Sequence, residues 1–492
     1  MKARRWAHIM LLTACVCGAE SPTASPALTP DQARARGIFA RVIAFKTSVG
    51  LGQVPVMANY LAGEFRAASF PESDIHVFPL GETASLVVRY RGDGSGGKPI
   101  LLMAHMDVVT AKREDWQRDP FTLVEENGYF FGRGTYDVKE SLTSLTATFL
   151  RLKAEGFVPT RDLVLVFTGD EEVTQETTRD VFNNHRALVT ADFALNTDAG
   201  MGNLDEKTGQ PFLYSIGTAE KSYASYELTV RNPGGHSSQP RADNAIFELA
   251  AALLRIQAFH FPVVWNDTTL AYFRGIGALT AGALGKAMQE FGANPQDRAA
   301  IAALSANSTY AGMIRTTCVP TLLRGGHAEN ALPQSATVTV NCRIFPGTSP
   351  AAIKDNLQQI VSPQVEITIL HAPFSSDASP LRTDVVTAVT RAVHLRHPGI
   401  PVVPKLDTGT SDAMYSRAAG IPTYGTCEAF LKDSDDYSHG LNERLPVRSF
   451  YDGLEFWYAL LKDLAAPPPP PHPLREPNAA GQQGVDLGPP AT

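Results

Sequence analysis

Acidic and histidine side chains follow three apolar runs of this chain. His105 and Asp107 come after the run 100–104, Glu171 and Glu172 after the run 163–167, and Asp198 after the run 193–195. Continuous apolar runs of this length are typical of buried parallel strands, and ligand sites lie off the carboxyl ends of such strands. We therefore expect these side chains to converge at one sheet edge, where they could bind metal ions and transfer protons.

Two further candidate ligands lie in loops. Asp137 ends the glycine-rich segment 132–137, directly before a helical pattern of apolar residues that stops at Gly156. An aspartate at a helix entrance also suits an N-cap, so this position alone does not establish a metal ligand. His439 lies in the late polar segment 436–440, where it could close the site, although a lone histidine there is otherwise typical of a surface.

Carboxylates that converge without a cation repel one another, and a metal removes that repulsion. A donor set of carboxylates with one or two histidines and no thiolate suits zinc, or cobalt or manganese in its place. One carboxylate can bridge two such ions. Consecutive side chains diverge near a strand end, so Glu172 can bind metal while Glu171 acts as a general base. A solvent-facing acidic loop is the alternative for this pair.

Composition narrows the function further. The chain has 492 residues, of which 44% are hydrophobic, and this length and content predict a globular protein of two or more domains. The formal net charge of -7 argues against sequence-independent nucleic-acid binding, which depends on neutralising phosphates. Small molecules or peptides are therefore the expected partners.

The N-terminus predicts export. Basic residues at positions 2, 4 and 5 precede a short apolar stretch, 6–16, which is too short to span a bilayer, so residues 1–19 are expected to be a signal peptide. The segment 12–15 also resembles a lipobox, which would place a lipid anchor on Cys15. Ordinary cleavage after residue 18 or 19 remains the alternative. Either way we expect a periplasmic or extracellular protein, with or without a membrane anchor.

The remaining cysteines and the C-terminus give weaker signals. Cys318, Cys342 and Cys427 form an odd and widely spread set, from which we expect no disulfide framework. The stretch 465–492 is rich in Pro, Gly and Gln, and we expect it to be disordered.

Five ordered motifs resemble one enzyme family. HMDVV, GRGTYDVK, TGDEE, NTDAG and DYSHG, which begin at residues 105, 132, 168, 196 and 436, are similar to motifs of the dizinc peptidases and deacylases. That family includes acetylornithine deacetylase, succinyl-diaminopimelate desuccinylase, aminoacylase, carnosinase and carboxypeptidase S. The resemblance spans about residues 29–464. The segment 260–324 is an extra, largely helical stretch, which makes the chain similar to the larger carboxypeptidase S-like members.

The resemblance implies a role for each motif residue. One Zn²⁺ would be held by His105, Asp137 and Asp198, and the other by Asp137, Glu172 and His439, with Asp107 orienting His105 and Glu171 as the base and then the acid. His236 would stabilise the oxyanion, within one subunit or from a partner, while Asn330, Arg343 and the loop Gly409, Thr410 and Ser411 would contact the substrate. One departure is Glu140, where many relatives have glycine, and we expect it to affect only the local loop.

These observations predict an α/β fold with a mostly parallel central sheet and helices on both faces, similar to zinc exopeptidases. A catalytic domain would comprise 29–218 and 373–464. Alternating patterns within 219–372 predict an inserted α+β lid, which dimerises in the family. We expect a hydrolase that cleaves an amide next to a free carboxylate, as a carboxypeptidase or dipeptidase. The first alternative is an N-acyl-amino-acid deacylase. A catalytically silent binding protein is a weaker alternative, because none of the motifs is broken.

Overall fold

The computed structural model describes residues 27–371 and 374–466. The predicted signal peptide, Cys15 and the predicted disordered tail beyond residue 466 lie outside the described residues. In the part of the chain that the structure describes, none of the helices combines the length and hydropathy that a membrane crossing requires.

The strands are β1 (Ile75–Leu80), β2 (Thr83–Tyr90), β3 (Ile100–His105), β4 (Val124–Glu126), β5 (Tyr129–Phe131), β6 (Leu163–Thr168), β7 (Phe193–Asn196), β8 (Met201–Leu204), β9 (Pro211–Glu220), β10 (Ser222–Arg231), β11 (Gly235–His236), β12 (Thr317–Gly325), β13 (Ala331–Leu332), β14 (Ser335–Ile344), β15 (Glu366–Leu370), β16 (Val402–Asp407), β17 (Thr423–Gly425), β18 (Phe430–Leu431) and β19 (Arg444–Pro446). The α-helices are α1 (Pro30–Ala44), α2 (Val54–Ala67), α3 (Lys139–Ala154), α4 (Glu176–Asn184), α5 (Arg186–Val189), α6 (Ala245–Ala258), α7 (Asp267–Leu279), α8 (Gly282–Ala293), α9 (Arg298–Ser305), α10 (Ser308–Met313), α11 (Pro350–Ile360), α12 (Thr383–His394), α13 (Ala413–Ala418) and α14 (Val447–Ala465).

Ten strands of the described residues form the central sheet, in the order β1-β2-β6-β3-β7-β17-β9-β8-β18, with β16 paired to β9. Strands β6, β3, β7 and β17 run parallel to one another at its centre. All six residues of β3 and of β6 are buried. Continuous burial is what a strand covered on both faces requires.

Helices cover both faces of this sheet. Because side chains alternate along a strand, Leu102 packs into a core with α1, α2, α3 and α14, whereas Leu101 and Met103 pack into a second core with α4 and α13. Helix α1 begins at the capping box that the sequence predicts, in which the Thr29 side chain accepts from the backbone amide of Gln32. The α/β fold with a largely parallel sheet is thus confirmed.

A separate four-stranded antiparallel sheet, in the order β12-β14-β10-β15, packs against α6 and α11 around its own core. It lies within the segment 219–372, for which the sequence predicts an α+β lid; the domain boundaries themselves stay predictions. Helices α7 to α10 occupy most of the extra segment 260–324 and form a third core with β16.

One expectation about the cysteines is wrong. Cys318 on β12 and Cys342 on β14 are register partners and form a disulfide, whereas Cys427 is free and buried. Spacing along the chain could not reveal this pairing, because the cysteines are 24 residues apart and meet only through the register of their two strands.

Candidate active site

Parallel strand ends bring the predicted ligands to one edge of the central sheet. His105 is the last residue of β3 and pairs with Thr168 at the end of β6, and Met103 pairs with Asn196 at the end of β7. The TGDEE and NTDAG motifs therefore leave the sheet beside His105. The convergence follows from the parallel register of the three strands.

His105, Asp137 and Asp198 form the first group of potential ligands, with one ligand atom of each lying within 4.8 Å of the others. Nε2 of His105 lies 3.2 Å from Oδ1 of Asp137. His105 is 1% exposed, so its ring faces the acids rather than solvent.

Asp137, Glu172 and His439 form the second group, again with ligand atoms within 4.8 Å. Nε2 of His439 lies 3.2 Å from Oδ2 of Asp137 and 2.9 Å from Oε2 of Glu172. Asp137 therefore lies between two imidazoles, with one carboxylate oxygen directed at each. This arrangement is what a carboxylate that bridges two cations requires.

Asp107 is fully buried next to this cluster, and its carboxylate has backbone partners. Oδ1 accepts from the amide of Glu171 at 3.1 Å, and Oδ2 accepts from the amide of Glu172 at 3.0 Å. These two bonds fix the turn that carries both glutamates. The sequence identifies Asp107 only as a partner of His105, and nothing in the spacing predicts the backbone contacts.

Burial makes two acids of the site, Asp198 and Glu171, reluctant to ionise. Burial raises the pKa of Asp198 well above its ordinary value. Burial, and after it the charge of Asp198, raises the pKa of Glu171 well above the usual range of a glutamate. Oε1 of Glu171 accepts from Nε2 of Gln175 at 2.9 Å, which holds the side chain in the cavity described below.

The pKa values of the two histidines are also raised, which favours their charged form. Hydrogen bonds to Asp137 and Glu172 raise the pKa of His439 to about 10. Burial alone would lower the pKa of His105, but the nearby carboxylates of Asp107 and Asp137 raise it well above its ordinary value. The carboxylates of the site therefore favour the charged forms of both imidazoles.

The donor chemistry fits divalent cations. Among the described residues, no lysine or arginine forms an ion pair with Asp137, Glu172 or Asp198. Buried carboxylates without a fixed basic partner are stabilised by a bound cation. The two groups share Asp137, and together they offer three carboxylates and two imidazoles, a set that suits zinc, cobalt or manganese.

A buried ion pair that the sequence did not reveal holds the loop of Asp137. Glu443 is completely buried and pairs with Nη1 of Arg133 at 2.5 Å. Its carboxylate also accepts from the amides of Gly134, Tyr136 and Asp137 at 2.8 to 3.1 Å. Glu443 lies four residues after His439, and only that proximity could have drawn attention to it.

A cavity of about 470 Å³ contains the second ligand group together with Glu171 and Asp198. Gly409, Thr410 and Ser411 line the same cavity. Arg343, at the end of β14, donates to Oγ1 of Thr410 at 3.3 Å. Arg343 does not line the cavity itself, but it contacts Thr410, which does.

Ser411 has partners within the protein. Its hydroxyl donates to Oε1 of Glu220 at 2.5 Å and accepts from Nδ2 of Asn196 at 2.8 Å. Glu220 in turn pairs with the buried Arg417 at 3.0 Å. Ser411 therefore fixes the position of its loop, whether or not it also contacts a substrate.

His236 and Asn330 lie apart from this cavity in the described chain. Both are exposed on the lid, where β11 pairs with β13 and the amide of Ser237 donates to the Asn330 carbonyl at 3.0 Å. Nδ1 of His236 contacts Oγ of Ser238 at 2.7 Å. The two residues are neighbours of one another, and neither lines the cavity.

Comparison with known proteins agrees with this geometry. A family model described as Peptidase family M20/M25/M40 matches residues 101–463. The chain is 28% identical over 399 residues to the N-fatty-acyl-amino acid synthase/hydrolase PM20D1 of Xenopus tropicalis, covering 79% of this chain and 77% of that protein. It is also 28% identical over 397 residues to the probable carboxypeptidase S-like 2 of Dictyostelium discoideum, covering 77% and 74%.

A solved structure shares the fold. The M20 family metallo-carboxypeptidase Sso-CP2 of Sulfolobus solfataricus superposes with a TM-score of 0.67 at 17% identity, covering 87% of this chain and 99% of that one. At this identity the likeness concerns the fold alone.

Proposed function

We propose, from the premise that this chain belongs to peptidase family M20/M25/M40, that it is a metal-dependent hydrolase of an amide bond next to a free carboxylate. One observation carries the proposal: the Asp137 carboxylate lies between Nε2 of His105 and Nε2 of His439, at 3.2 Å from each. The cavity that Asp137 and His439 line is also lined by Thr410, which contacts Arg343.

Two divalent cations are the proposed cofactors, with zinc as the native metal and cobalt or manganese as substitutes. His105, Asp137 and Asp198 would hold one, and Asp137, Glu172 and His439 the other. When bound, such ions polarise a carbonyl and make water more acidic.

The remaining steps belong to side chains of the protein. Glu171 takes a proton from the attacking water and delivers it to the leaving amine; burial raises its pKa above the usual range of a glutamate, which makes its carboxylate a stronger proton acceptor than an exposed one. Asp107 positions Glu171 because its carboxylate accepts a hydrogen bond from the Glu171 backbone amide. Arg343 binds the substrate carboxylate, and its exposed guanidinium forms no ion pair among the described residues.

His236 is proposed to stabilise the oxyanion from a second subunit, because it does not line the cavity of its own chain. An exposed apolar face of the lid supports a homodimer. The edge strand β12 exposes Val319, Leu322 and Leu323 at 56%, 64% and 68%, and α6 exposes Phe247 at 71%. Leu322→Glu combined with Leu323→Glu should convert a dimer into a monomer in sedimentation analysis; an unchanged mass would reject this interface.

An N-acyl-amino-acid deacylase is the second candidate, since it uses the same chemistry on the same carboxylate. Tyr272 and Met313 of the extra helical segment line the cavity. They would provide an apolar wall for an acyl group, as would suit a substrate like that named for the Xenopus relative. The wall favours substrates with a large apolar group on the acyl side.

A substrate panel tests the proposal. The purified protein is treated with chelator, reconstituted with Zn²⁺, and assayed on dipeptides, N-acetyl amino acids and N-fatty-acyl amino acids, each with a free or an amidated carboxylate. We expect metal-dependent hydrolysis of the free-carboxylate compounds. Metal-independent hydrolysis, or equal rates on amidated compounds, would contradict the proposal.

Export is proposed as well. The Cys318–Cys342 disulfide supports it, because disulfides persist in oxidising compartments. Mass spectrometry of the mature N-terminus separates the two forms: a diacylglyceryl group on Cys15 supports the lipid anchor, whereas a chain that begins after residue 18 or 19 supports simple secretion. A chain that retains Met1 and the whole leader would contradict both.

A further inference from the structure

A second cluster of potential metal ligands lies outside the five residues considered so far. Glu140, Cys427 and Glu428 each offer a ligand atom, and these atoms lie within 4.8 Å of one another. The three residues are 0%, 4% and 3% exposed. Glu140 is in the first turn of α3, and the other two precede β18. The expectation that Glu140 affects only a local loop is therefore wrong.

The two carboxylates lack a positive partner. Oγ of Ser141 lies 2.8 Å from Oε1 of Glu140 and 2.9 Å from Oε2 of Glu428, which also accepts from Nε1 of Trp457 at 2.6 Å. A hydroxyl has one proton and cannot donate to both carboxylates. Among the described residues, no lysine, arginine or histidine forms an ion pair with either acid. The cluster therefore needs a further positive charge, either a proton or a metal cation.

Three buried oxygens in and beside the cluster lack hydrogen-bond partners in the described chain. Oε2 of Glu140, Oε1 of Glu428 and Oγ of Ser144 have no hydrogen-bond partner among the described residues. Ser144 is completely buried one helical turn beyond Glu140, and its hydroxyl lies beside the Glu428 carboxylate. Leaving a buried polar group unpaired is unfavourable. A cation held by Glu140 and Glu428 would give their unpaired oxygens a partner.

Cys427 gives the cluster its selectivity. Its Sγ lies 3.8 Å from Oε1 of Glu140 and 3.9 Å from Oγ of Ser141. A pair of acids that merely shares a proton needs no thiol, whereas thiolates favour zinc and softer divalent ions. The N-terminus of α3 adds a favourable potential for the charge of Glu140. Cys427 also lines the cavity of the candidate active site, which provides an entry route.

We propose that Glu140, Cys427 and Glu428 form a third cation site, which takes a thiophilic divalent ion such as Zn²⁺ or Cd²⁺ from the cavity. Binding forms a metal–sulfur bond and releases the thiol proton, together with any proton shared by the two acids, to solvent. No electron is transferred. The site uses none of the residues assigned to catalysis, so it stands or falls independently of the proposed function.

Titration with Cd²⁺ tests the site, because a cadmium–thiolate bond absorbs in the ultraviolet and a cadmium–carboxylate bond does not. We expect the parent to show a thiolate band that exceeds the band of Cys427→Ser, with the difference saturating at one equivalent per chain. Cys318 and Cys342 are joined in a disulfide, and Cys15 and Cys17 are the same in parent and variant. The difference between the two titrations therefore reports Cys427 alone.

A second variant keeps the thiol and removes a carboxylate. Glu140→Gln should weaken the thiolate-dependent binding of Cd²⁺ at least 10-fold, while Glu455→Gln, a change of an acid on α14 that pairs with Arg151, should leave it unchanged. Circular dichroism checks that each variant is folded. If parent and Cys427→Ser give identical titrations, or Glu140→Gln binds as tightly as the parent, the cluster is a proton-sharing acid pair and the proposal is wrong.

Discussion

Nδ1 of His105 lies closest to the backbone carbonyl oxygen of Asp107, at 3.0 Å, whereas Oδ1 of the Asp107 carboxylate is 3.6 Å away. The carboxylate is thereby available to accept from the amides of Glu171 and Glu172. Asp107 therefore connects the strand that ends in His105 with the turn that carries the proposed base. Its substitution should disturb the base at least as much as the metal ligand.

Replacing Asp107 by asparagine tests this connection. The amide retains one acceptor oxygen, but its NH₂ group opposes a backbone N–H, so one of the two turn contacts is lost. We expect kcat to fall about 10- to 100-fold with both metals retained, as is usual for groups that orient a metal site. Asp119→Asn is the control, since Asp119 also accepts from a backbone amide but on the surface. The account would be contradicted if Asp107→Asn lost a metal ion but turned over at the parental rate once both metals were restored.

The buried pair of Arg133 and Glu443 should stabilise the fold as well as the Asp137 loop. Arg133→Met leaves the Glu443 carboxylate buried without its partner, which costs about 3–5 kcal/mol of unfolding free energy. The matched control is Arg448→Ala, which breaks an exposed pair with Asp452 and should cost less than about 1 kcal/mol. Urea unfolding measures both. Similar losses for the two variants would show that the buried pair has no special role.

Arg343 should determine the affinity for the substrate carboxylate. A hydrogen bond to a charged group contributes about 1.5–3 kcal/mol, so Arg343→Ala should raise KM about 10- to 150-fold for free-carboxylate substrates. The KM for the amidated analogues should stay unchanged. Arg231→Ala removes an exposed arginine from the same lid sheet and should alter neither. Equal effects of Arg343→Ala on both substrate types would assign the arginine a structural role instead.

Lys139 predicts a pH dependence of stability. Its Nζ donates to the carbonyls of Val42 and Phe45, and burial lowers its pKa from 10.5 to about 7. Between these values the unfolded chain binds the additional proton, so this lysine makes the folded state more stable as pH rises from 7 towards 10. Lys139→Met should flatten that rise relative to the parent, and Lys153→Met on the same helix should not. Parallel pH profiles of stability for parent and Lys139→Met would contradict the assignment.

The sequence predicts where the site lies because three strands of the central sheet are continuous apolar runs. Such a run is typical of a parallel strand that is buried on both faces. His105, Glu172 and Asp198 could be located in this way, since each follows such a run. Asp137 and His439 lie in loops, and their approach to the same edge rests on the resemblance of whole motifs to a family.

Contacts between distant segments could not be predicted. Glu443 reaches the Asp137 loop from more than 300 residues away, and no local pattern marks a buried ion pair. The same holds for the bond between Cys318 and Cys342, which depends on strand register, and for Glu140, whose partners at 427 and 428 approach it only in the folded chain.

The turnover of Glu171→Gln, measured together with its metal content, tests the central claim most directly. Glutamine keeps the shape of the side chain but cannot accept the proton, so kcat should fall about 10²- to 10⁴-fold while the metal content equals that of the parent. Glu176→Gln, an exposed change nearby, should retain full activity. A Glu171→Gln enzyme with two metals and undiminished kcat would contradict the assignment of Glu171 as the base.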